Sequence, residues 1–162
     1  MTHAYPIITI DINDFKLNQS RKFGATHTIN SSRINVRKKI LEILPDGIDV
    51  CVDTTGIKTI RELSYELTSK DGRTILVGVP QHGEKMNIDS FQLHFTKGIK
   101  GSHGGDTNPS YDIPRLIRLH EAGKYNLNEM ISYIYSLDEI NKAIEMVRNG
   151  NVVRCLIKMD KQ

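Results

Sequence analysis

The chain has 162 residues, of which 38% are hydrophobic and 25% are charged, as in ordinary soluble domains. A chain of this length buries roughly 70% of the surface that it exposes when unfolded, so we expect one core without structural metal or disulfides. Its net charge is +3, from 22 basic and 19 acidic residues scattered along the chain, which argues against nucleic acid as a partner. Because no apolar run approaches the roughly 20 residues of a membrane span and no signal pattern begins the chain, we expect a cytoplasmic protein without membrane contact.

The chemistry-bearing residues show none of the common metal or nucleophile motifs. The sequence has six histidines and two cysteines, without a C-x-x-C or H-E-x-x-H spacing. It also has no G-x-S-x-G motif, so a serine nucleophile is not indicated. Cys51 and Cys155 each lie inside an apolar run, which predicts reduced, buried thiols. We therefore predict no metal site within this chain.

The first half of the chain alternates between strand and helix patterns. Runs of β-branched residues predict buried strands, and apolar residues at helical spacing predict the helices between them. The predicted strands cover residues 6–11, 26–29, 48–53 and 74–79, and the predicted helices cover residues 14–23, 34–44 and 57–67.

The second half is less regular. It contains a short predicted strand over residues 86–88, an apolar stretch over 91–95 and a glycine-rich turn over 101–106. Further on we predict a helix that begins near Pro114 and ends before Gly123, a strand over 132–135, a helix over 137–148 and a strand over 152–157. With no repeat or linker, the pattern predicts a single α/β domain over residues 1–162, built as a Rossmann-like, doubly wound, mostly parallel sheet.

Asp11 ends the first predicted strand, and its position is informative. In a dinucleotide-binding fold, a carboxylate at the end of the second strand accepts hydrogen bonds from the adenosine ribose, about 20 residues after a G-x-G-x-x-G turn. Counting back that far runs past residue 1, and the motif occurs nowhere else in the chain. We therefore expect this chain to lack the first βα unit of a Rossmann domain, together with the helix N-terminus that holds a pyrophosphate.

Five stretches of the sequence also match a known family in the order in which they occur. From Ile7 to Ile157 the chain resembles the C-terminal, NAD-binding half of medium-chain zinc-type alcohol dehydrogenases. The matching stretches are IITIDINDFK (7–16), KFGATHTIN (22–30), ILVGVP (75–80), GSHGGD (101–106) and LDEINKA (137–143). The family's N-terminal domain, which carries the zinc ligands, has no counterpart here.

The resemblance implies that Asp11 and Lys16 bind the adenosine ribose. A carboxylate at this position accepts hydrogen bonds from both ribose hydroxyls and repels the extra phosphate of NADP, so NAD is the expected cofactor. The alternatives are a turn in which Asp11 caps the following backbone and a solvated lysine on a helix face.

Further positions are implied to contact the rest of the cofactor. Thr54 and Thr55 follow a strand whose turn faces the cofactor in the family, although such hydroxyls could equally cap the next helix. Val77, Gly78 and Val79 resemble the segment that faces the nicotinamide carboxamide, with Gly78 allowing close approach of the ring; the alternative is a core strand.

The remaining implied contacts lie after residue 100. Ser102 and His103 occupy a turn that reaches the carboxamide through backbone groups, while a lone histidine in such a turn is otherwise solvent-facing. Arg154 resembles the family's arginine at the pyrophosphate, for which a guanidinium provides bidentate contacts, and its alternative is a surface ion pair.

Three hypotheses for function follow from these observations. The first is the cofactor-binding C-terminal part of a zinc-dependent, NAD-linked alcohol dehydrogenase, inactive alone because zinc belongs to the other domain. The second is a non-catalytic interaction module that dimerises through an edge strand near residues 86–99, or docks with the absent N-terminal half. The third is another Rossmann-type binder, such as a methyltransferase, against which the stretches at 75–80 and 101–106 argue.

Overall fold

The structure is a computed structural model that describes residues 4–124 and 126–159. The strands are β1 (Ile8–Asp11), β2 (His27–Asn30), β3 (Ile48–Asp53), β4 (Thr68–Leu76), β5 (Gly98–Gly101), β6 (Ile131–Ser136) and β7 (Arg154–Lys158). The α-helices are α1 (Asp14–Lys22), α2 (Val36–Ile43), α3 (Lys58–Leu67), α4 (Pro109–Glu121) and α5 (Ile140–Arg148). Short 3₁₀ turns occupy Ser90–His94, Gly104–Asp106, Asn128–Met130 and Leu137–Glu139.

All the described strands pair in parallel, which confirms the predicted α/β class. They form a two-stranded sheet of β1 and β2, a three-stranded sheet in the order β3-β4-β5, and a two-stranded sheet of β6 and β7. Over the described residues, β1 and β3 therefore each have one paired edge and one open edge.

The chain divides into two compact units. The first unit contains the described residues up to Ile34 and those from Ser110 onward, and the second unit is Asn35–Pro109. The sequence predicts one domain over residues 1–162, and that expectation stays a prediction.

In the first unit, helix α1 begins where its residues supply a cap. The Asn13 side-chain oxygen accepts the N–H groups of Phe15 (2.9 Å) and Lys16 (3.3 Å), which satisfies two donors that lack a partner within the helix. Leu17 is buried on its inner face. The helix ends before Gly24, whose φ of 101° suits a residue without a side chain.

In the second unit, the core forms around α2, α3 and β4. Ile40 is fully buried, and Tyr65 and Leu67 are nearly so. The buried hydroxyls of Thr68 and Thr74 lie 2.8 Å apart, and Thr68 also donates to the Ser64 carbonyl at 2.8 Å. Because each hydroxyl has a hydrogen-bond partner, these polar groups can lie inside the core at little cost.

Strand β4 differs from the prediction at both ends. It begins at Thr68, which pairs with Ile48 of β3. The next pair is Val50 with Arg73, so β4 contains an irregular segment between Thr68 and Arg73. This bulge allows β4 to pair with β3 on both sides of the segment. The predicted continuation to residue 79 is wrong, since β4 ends at Leu76. The N–H groups of Val77 and Gly78 instead donate to the Asp53 carbonyl, at 2.8 and 3.0 Å.

The middle of the chain contains two further corrections. Residues 86–88 form no strand; the Asn87 N–H donates to a Glu62 carboxylate oxygen instead of a neighbouring strand. The strand of this region is β5, which the pattern did not predict because two of its four residues are glycines.

Helix α4 begins at Pro109, and the prediction of a start near Pro114 is wrong. Proline at the first helical position removes no intrahelical hydrogen bond, which suits Pro109, whereas Pro114 lies inside the helix at the loss of one such bond. The predicted helix over 137–148 is divided into a 3₁₀ turn and α5, and the side chains of Ser136 and Glu139 form a capping box at the turn.

Both cysteines are free and half-buried, and burial raises the pKa of the Cys51 thiol.

Within the described residues, none of the helices has the length and apolar character needed to span a bilayer.

Candidate functional site

The carboxyl ends of β3, β4 and β5 lie side by side at one edge of the second unit's sheet. The Asp53 carbonyl accepts the N–H groups that follow β4, and the Leu76 carbonyl accepts the Ser102 N–H at 2.8 Å. This edge therefore brings together seven of the ten predicted contacts, namely Thr54, Thr55, Val77, Gly78, Val79, Ser102 and His103. In open parallel sheets, ligands bind beyond this end of the strands.

Asp53 holds the turn between β3 and α3. Its side chain is 2% exposed and accepts the Thr55 N–H (2.9 Å), the Thr55 hydroxyl (2.7 Å) and the Gly56 N–H (3.1 Å). A carboxylate with three donors has little capacity left for a ligand. Asp53 therefore acts as the structural support of this edge, a role that the sequence-based prediction did not assign.

The two threonines of this turn have different surroundings. The Thr55 hydroxyl accepts the Ile57 N–H at 3.1 Å as well as donating to Asp53, so it supports the entrance to α3, in agreement with the structural alternative. Thr54 is exposed, and its hydroxyl has no hydrogen-bond partner among the described residues. Of the two hydroxyls, that of Thr54 is the one available to a ligand.

Gly78 and Gly56 bring two backbone segments into contact. A Cβ added to Gly78 would lie 2.1 Å from the Gly56 nitrogen, and a Cβ added to Gly56 would lie 2.6 Å from the Val79 carbonyl oxygen. Both distances are shorter than non-bonded atoms tolerate. The structure thus explains Gly78 by contact with the chain itself, and the approach of a ring to this residue stays a prediction.

Val77 and Val79 follow the end of β4 and face outward. Their side chains are 43% and 88% exposed. The alternative of a core strand is therefore wrong for these two valines, because β4 has ended before them. They leave an apolar surface beside the backbone turn at Asp53.

The turn after β5 has an unusual backbone. Gly104, Gly105 and Asp106 have φ values of 59°, 74° and 54°, a left-handed conformation that is uncommon for aspartate. Ser102 accepts the Gly105 N–H at 3.0 Å, and Lys100 donates to Asp106 at 2.8 Å, which lowers the pKa of that carboxyl group. His103 is exposed, as the solvent-facing alternative predicts.

The remaining three predicted contacts, Asp11, Lys16 and Arg154, belong to the first unit. One Asp11 carboxylate oxygen accepts the Asn13 N–H at 2.9 Å, which is the turn given as the alternative. The other oxygen accepts no hydrogen bond from the described residues. The carboxylate therefore combines the structural role with a free acceptor at the end of β1.

Asn13 links this turn to the other end of the chain. Its side-chain amide donates to the Gly150 carbonyl at 3.1 Å, beside the exposed Lys16. Arg154 begins β7, is exposed, and forms no ion pair within the described part of the chain, so the surface ion pair is not observed. The sequence-based prediction missed Asn13 and Gly150, since a contact between residues so far apart leaves no local pattern.

Replacement of Gly78 tests the backbone contact. We expect Gly78→Ala to lower the free energy of unfolding by at least about 2 kcal/mol, because the new methyl group overlaps the Thr55–Gly56 backbone. Urea unfolding followed by circular dichroism measures the change. The control is Gly101→Ala, since a Cβ there meets no atom within 4 Å, and it should change stability by less than about 0.5 kcal/mol. Equal effects of the two substitutions would contradict the assignment.

Comparison with known proteins gives the family. Residues 2–122 match the model of the zinc-binding dehydrogenase family. Alcohol dehydrogenase-like 2 of Arabidopsis thaliana is 30% identical over 162 residues, an alignment that covers 98% of this chain and 42% of that protein. The chain thus spans less than half the length of this curated relative.

Solved structures agree with this match. Benzyl alcohol dehydrogenase from Acinetobacter calcoaceticus superposes with a TM-score of 0.90 at 32% identity, over 97% of this chain and 43% of that one. A structure described as a zinc-binding dehydrogenase of Sinorhizobium meliloti 1021 bound to NADP has a TM-score of 0.76 at 28% identity, over 87% of this chain and 41% of that one. The chain belongs to the zinc-binding dehydrogenase family and corresponds to the C-terminal, cofactor-binding half of its alcohol dehydrogenases.

Proposed function

We propose that this chain binds NAD as one wall of an alcohol dehydrogenase active site and catalyses no alcohol oxidation alone. The observation that carries the proposal is the unengaged oxygen of Asp11 at the carboxyl end of β1. An oxygen in this place accepts hydrogen bonds from ribose hydroxyls, and its charge disfavours the additional phosphate of NADP. NAD, when bound, would accept the hydride of the alcohol.

The described residues fit part of the cofactor. In the first unit, Asp11 and the exposed Lys16 suit an adenosine ribose, and Arg154, which forms no ion pair with the described residues, suits a phosphate. In the second unit, the exposed Val77 and Val79 suit an apolar ring face. These 162 residues contain no G-x-G-x-x-G turn at which a helix N-terminus would bind the pyrophosphate. We therefore propose that NAD binds this chain weakly.

Zinc does not fit this chain. Within residues 4–124 and 126–159, no three histidine, cysteine, aspartate or glutamate side chains converge as a metal site. We therefore propose that the family's metal chemistry belongs to the half of the relatives that this chain does not match.

The cofactor proposal is tested by ligand-observed NMR with NAD and NADP. We expect NAD to bind with a Kd weaker than about 1 mM and NADP to bind more weakly still. Asp11→Asn should raise the Kd for NAD about tenfold, because it removes a hydrogen bond to a charged group. It should also reduce the preference of the chain for NAD over NADP. The control Asp46→Asn, in the other unit, should change neither. Preference for NADP in the unaltered chain would contradict the role of Asp11.

The absence of turnover is tested by absorbance. Purified chain supplied with NAD, zinc and simple primary alcohols should produce no NADH above the rate without protein, since the metal ligands lie outside this chain. NADH formation proportional to the amount of chain would overturn this part of the proposal.

A second function, self-association, is favoured by the edge formed by β5. This strand pairs only with β4 within the described residues, which leaves its other edge open. Phe91 and Phe95 precede it, are 66% and 69% exposed, and contact each other edge to face at 5.3 Å. Exposed aromatic pairs beside an open strand edge are typical of protein interfaces. We propose a homodimer through β5, which begins at Gly98, near the end of the edge predicted over residues 86–99.

The other open edge, that of β3, suits the N-terminal half of the family. Val50 and Val52 are 45% and 54% exposed on this strand. A parallel strand from that half would pair its backbone with this edge and cover the valines. We propose it as the partner, and the cytoplasm as the place where the two halves meet.

Sedimentation velocity at several concentrations tests the homodimer. We expect the average mass to rise with concentration towards that of a dimer, and Phe91→Ser with Phe95→Ser to return it to that of a monomer. Tyr111→Ser is the matched control, because Tyr111 is an aromatic residue that is 64% exposed on α4 and belongs to the other unit. A monomer at every concentration would contradict the proposal.

A further inference from the structure

A cavity of about 500 Å³ opens in the second unit, away from the carboxyl ends of the strands. One wall is α3, and the other is the segment between β4 and β5. Its lining residues are Glu62, Tyr65, Glu66, Asn87, Ile88, Asp89, Gln92 and Lys97.

Lys97 lines this cavity as a buried cation. The residue is only 6% exposed, and its ammonium lies 4.5 Å from the centre of the Tyr65 ring. Tyr65 is held in place because its hydroxyl donates to the Asp89 carbonyl at 2.8 Å. Within the described part of the chain, the Lys97 ammonium forms no hydrogen bond and no ion pair. The close contact of this ammonium is therefore the face of the Tyr65 ring, and its remaining surface is open to a molecule that enters the cavity.

Two carboxylates of the cavity wall are engaged with other cations. Glu62 accepts the Asn87 N–H at 2.8 Å and lies 4.0 Å from the Lys58 ammonium. Glu66 forms an ion pair with Arg37. Neither glutamate therefore provides Lys97 with a close counter-charge.

Asp89 is the third carboxylate, and it accepts the Phe91 N–H at 3.0 Å. Burial lowers the pKa of Lys97, and the charge of Asp89 partly opposes that shift. The Tyr65 phenol stays neutral at physiological pH, since burial raises its pKa. The balance favours an amine that loses its proton more readily than exposed lysines do.

We propose that Lys97 is a covalent modification site for small aldehydes, which enter the cavity and form an imine with its amine. The nitrogen lone pair forms a bond to the carbonyl carbon, and the carbonyl oxygen leaves as water with the two amine hydrogens. Nothing is oxidised or reduced in this step, and no further reactant is needed. The proposal is independent of the proposed function, because it concerns an amine outside the cofactor edge.

Reactivity should separate Lys97 from the exposed lysines. Lys16 is exposed without an ion pair in the described residues, and Lys100 is exposed and paired with Asp106 at 2.8 Å. Lys97 differs from both because burial lowers the pKa of its ammonium. A protonated amine does not add to a carbonyl, and each pKa unit by which the Lys97 pKa is lowered raises the neutral fraction of its amine about tenfold.

The experiment treats the whole chain at pH 7 with propanal and cyanoborohydride, which traps the imine as a stable propylamine. After low conversion, peptide mapping by mass spectrometry gives the extent of labelling at each lysine. We expect Lys97 to be labelled at least about fivefold faster than Lys16, and the difference to vanish in urea. Equal or slower labelling of Lys97 in the folded chain would overturn the proposal, as would an advantage that persists in urea.

A substitution separates chemical activation from mere access. Asp89→Asn keeps the side-chain oxygen that accepts the Phe91 N–H but removes the charge that stabilises the ammonium. We expect it to speed labelling of Lys97 further and leave that of Lys16 unchanged. Unchanged or slower labelling of Lys97 in this variant would contradict the role assigned to the charge of Asp89.

Discussion

The arrangement of the second unit depends on Asp53. Its carbonyl oxygen accepts the two N–H groups that follow β4, and its carboxylate accepts three donors from the turn that follows β3. One residue thus joins the ends of two neighbouring strands. Because charge-assisted hydrogen bonds in a buried place are strong and directional, both turns are held in one conformation.

The glycine pair beside Asp53 has the complementary role. The two turns can approach each other only where Gly56 and Gly78 have no side chains. The outcome is an edge made mainly of backbone and exposed valines, where the Thr54 hydroxyl has no hydrogen-bond partner among the described residues. Asp11, Lys16 and Arg154 belong to the first unit.

Much of this could be predicted from the sequence. Strand β3 has the predicted bounds, and the strand predicted over residues 6–11 ends at Asp11 as expected, because alternation and β-branched runs are local properties of the chain. The predictions failed where a distant partner decides the outcome. Strand β4 ends at Leu76 because Asp53 captures the next N–H groups, and β5 forms from glycines because β4 provides its hydrogen bonds.

The sequence by itself determined the α/β class, the family resemblance and the absence of a G-x-G-x-x-G motif from these 162 residues, since each is written in residue order and composition. Only the tertiary structure decided that Gly78 contacts Gly56, that Asn13 contacts Gly150 and that Lys97, buried at a cavity, forms no ion pair with the described residues. The physical reason is the same in each case. A contact between residues far apart in the chain depends on how elements pack, and no periodicity within a single element encodes it.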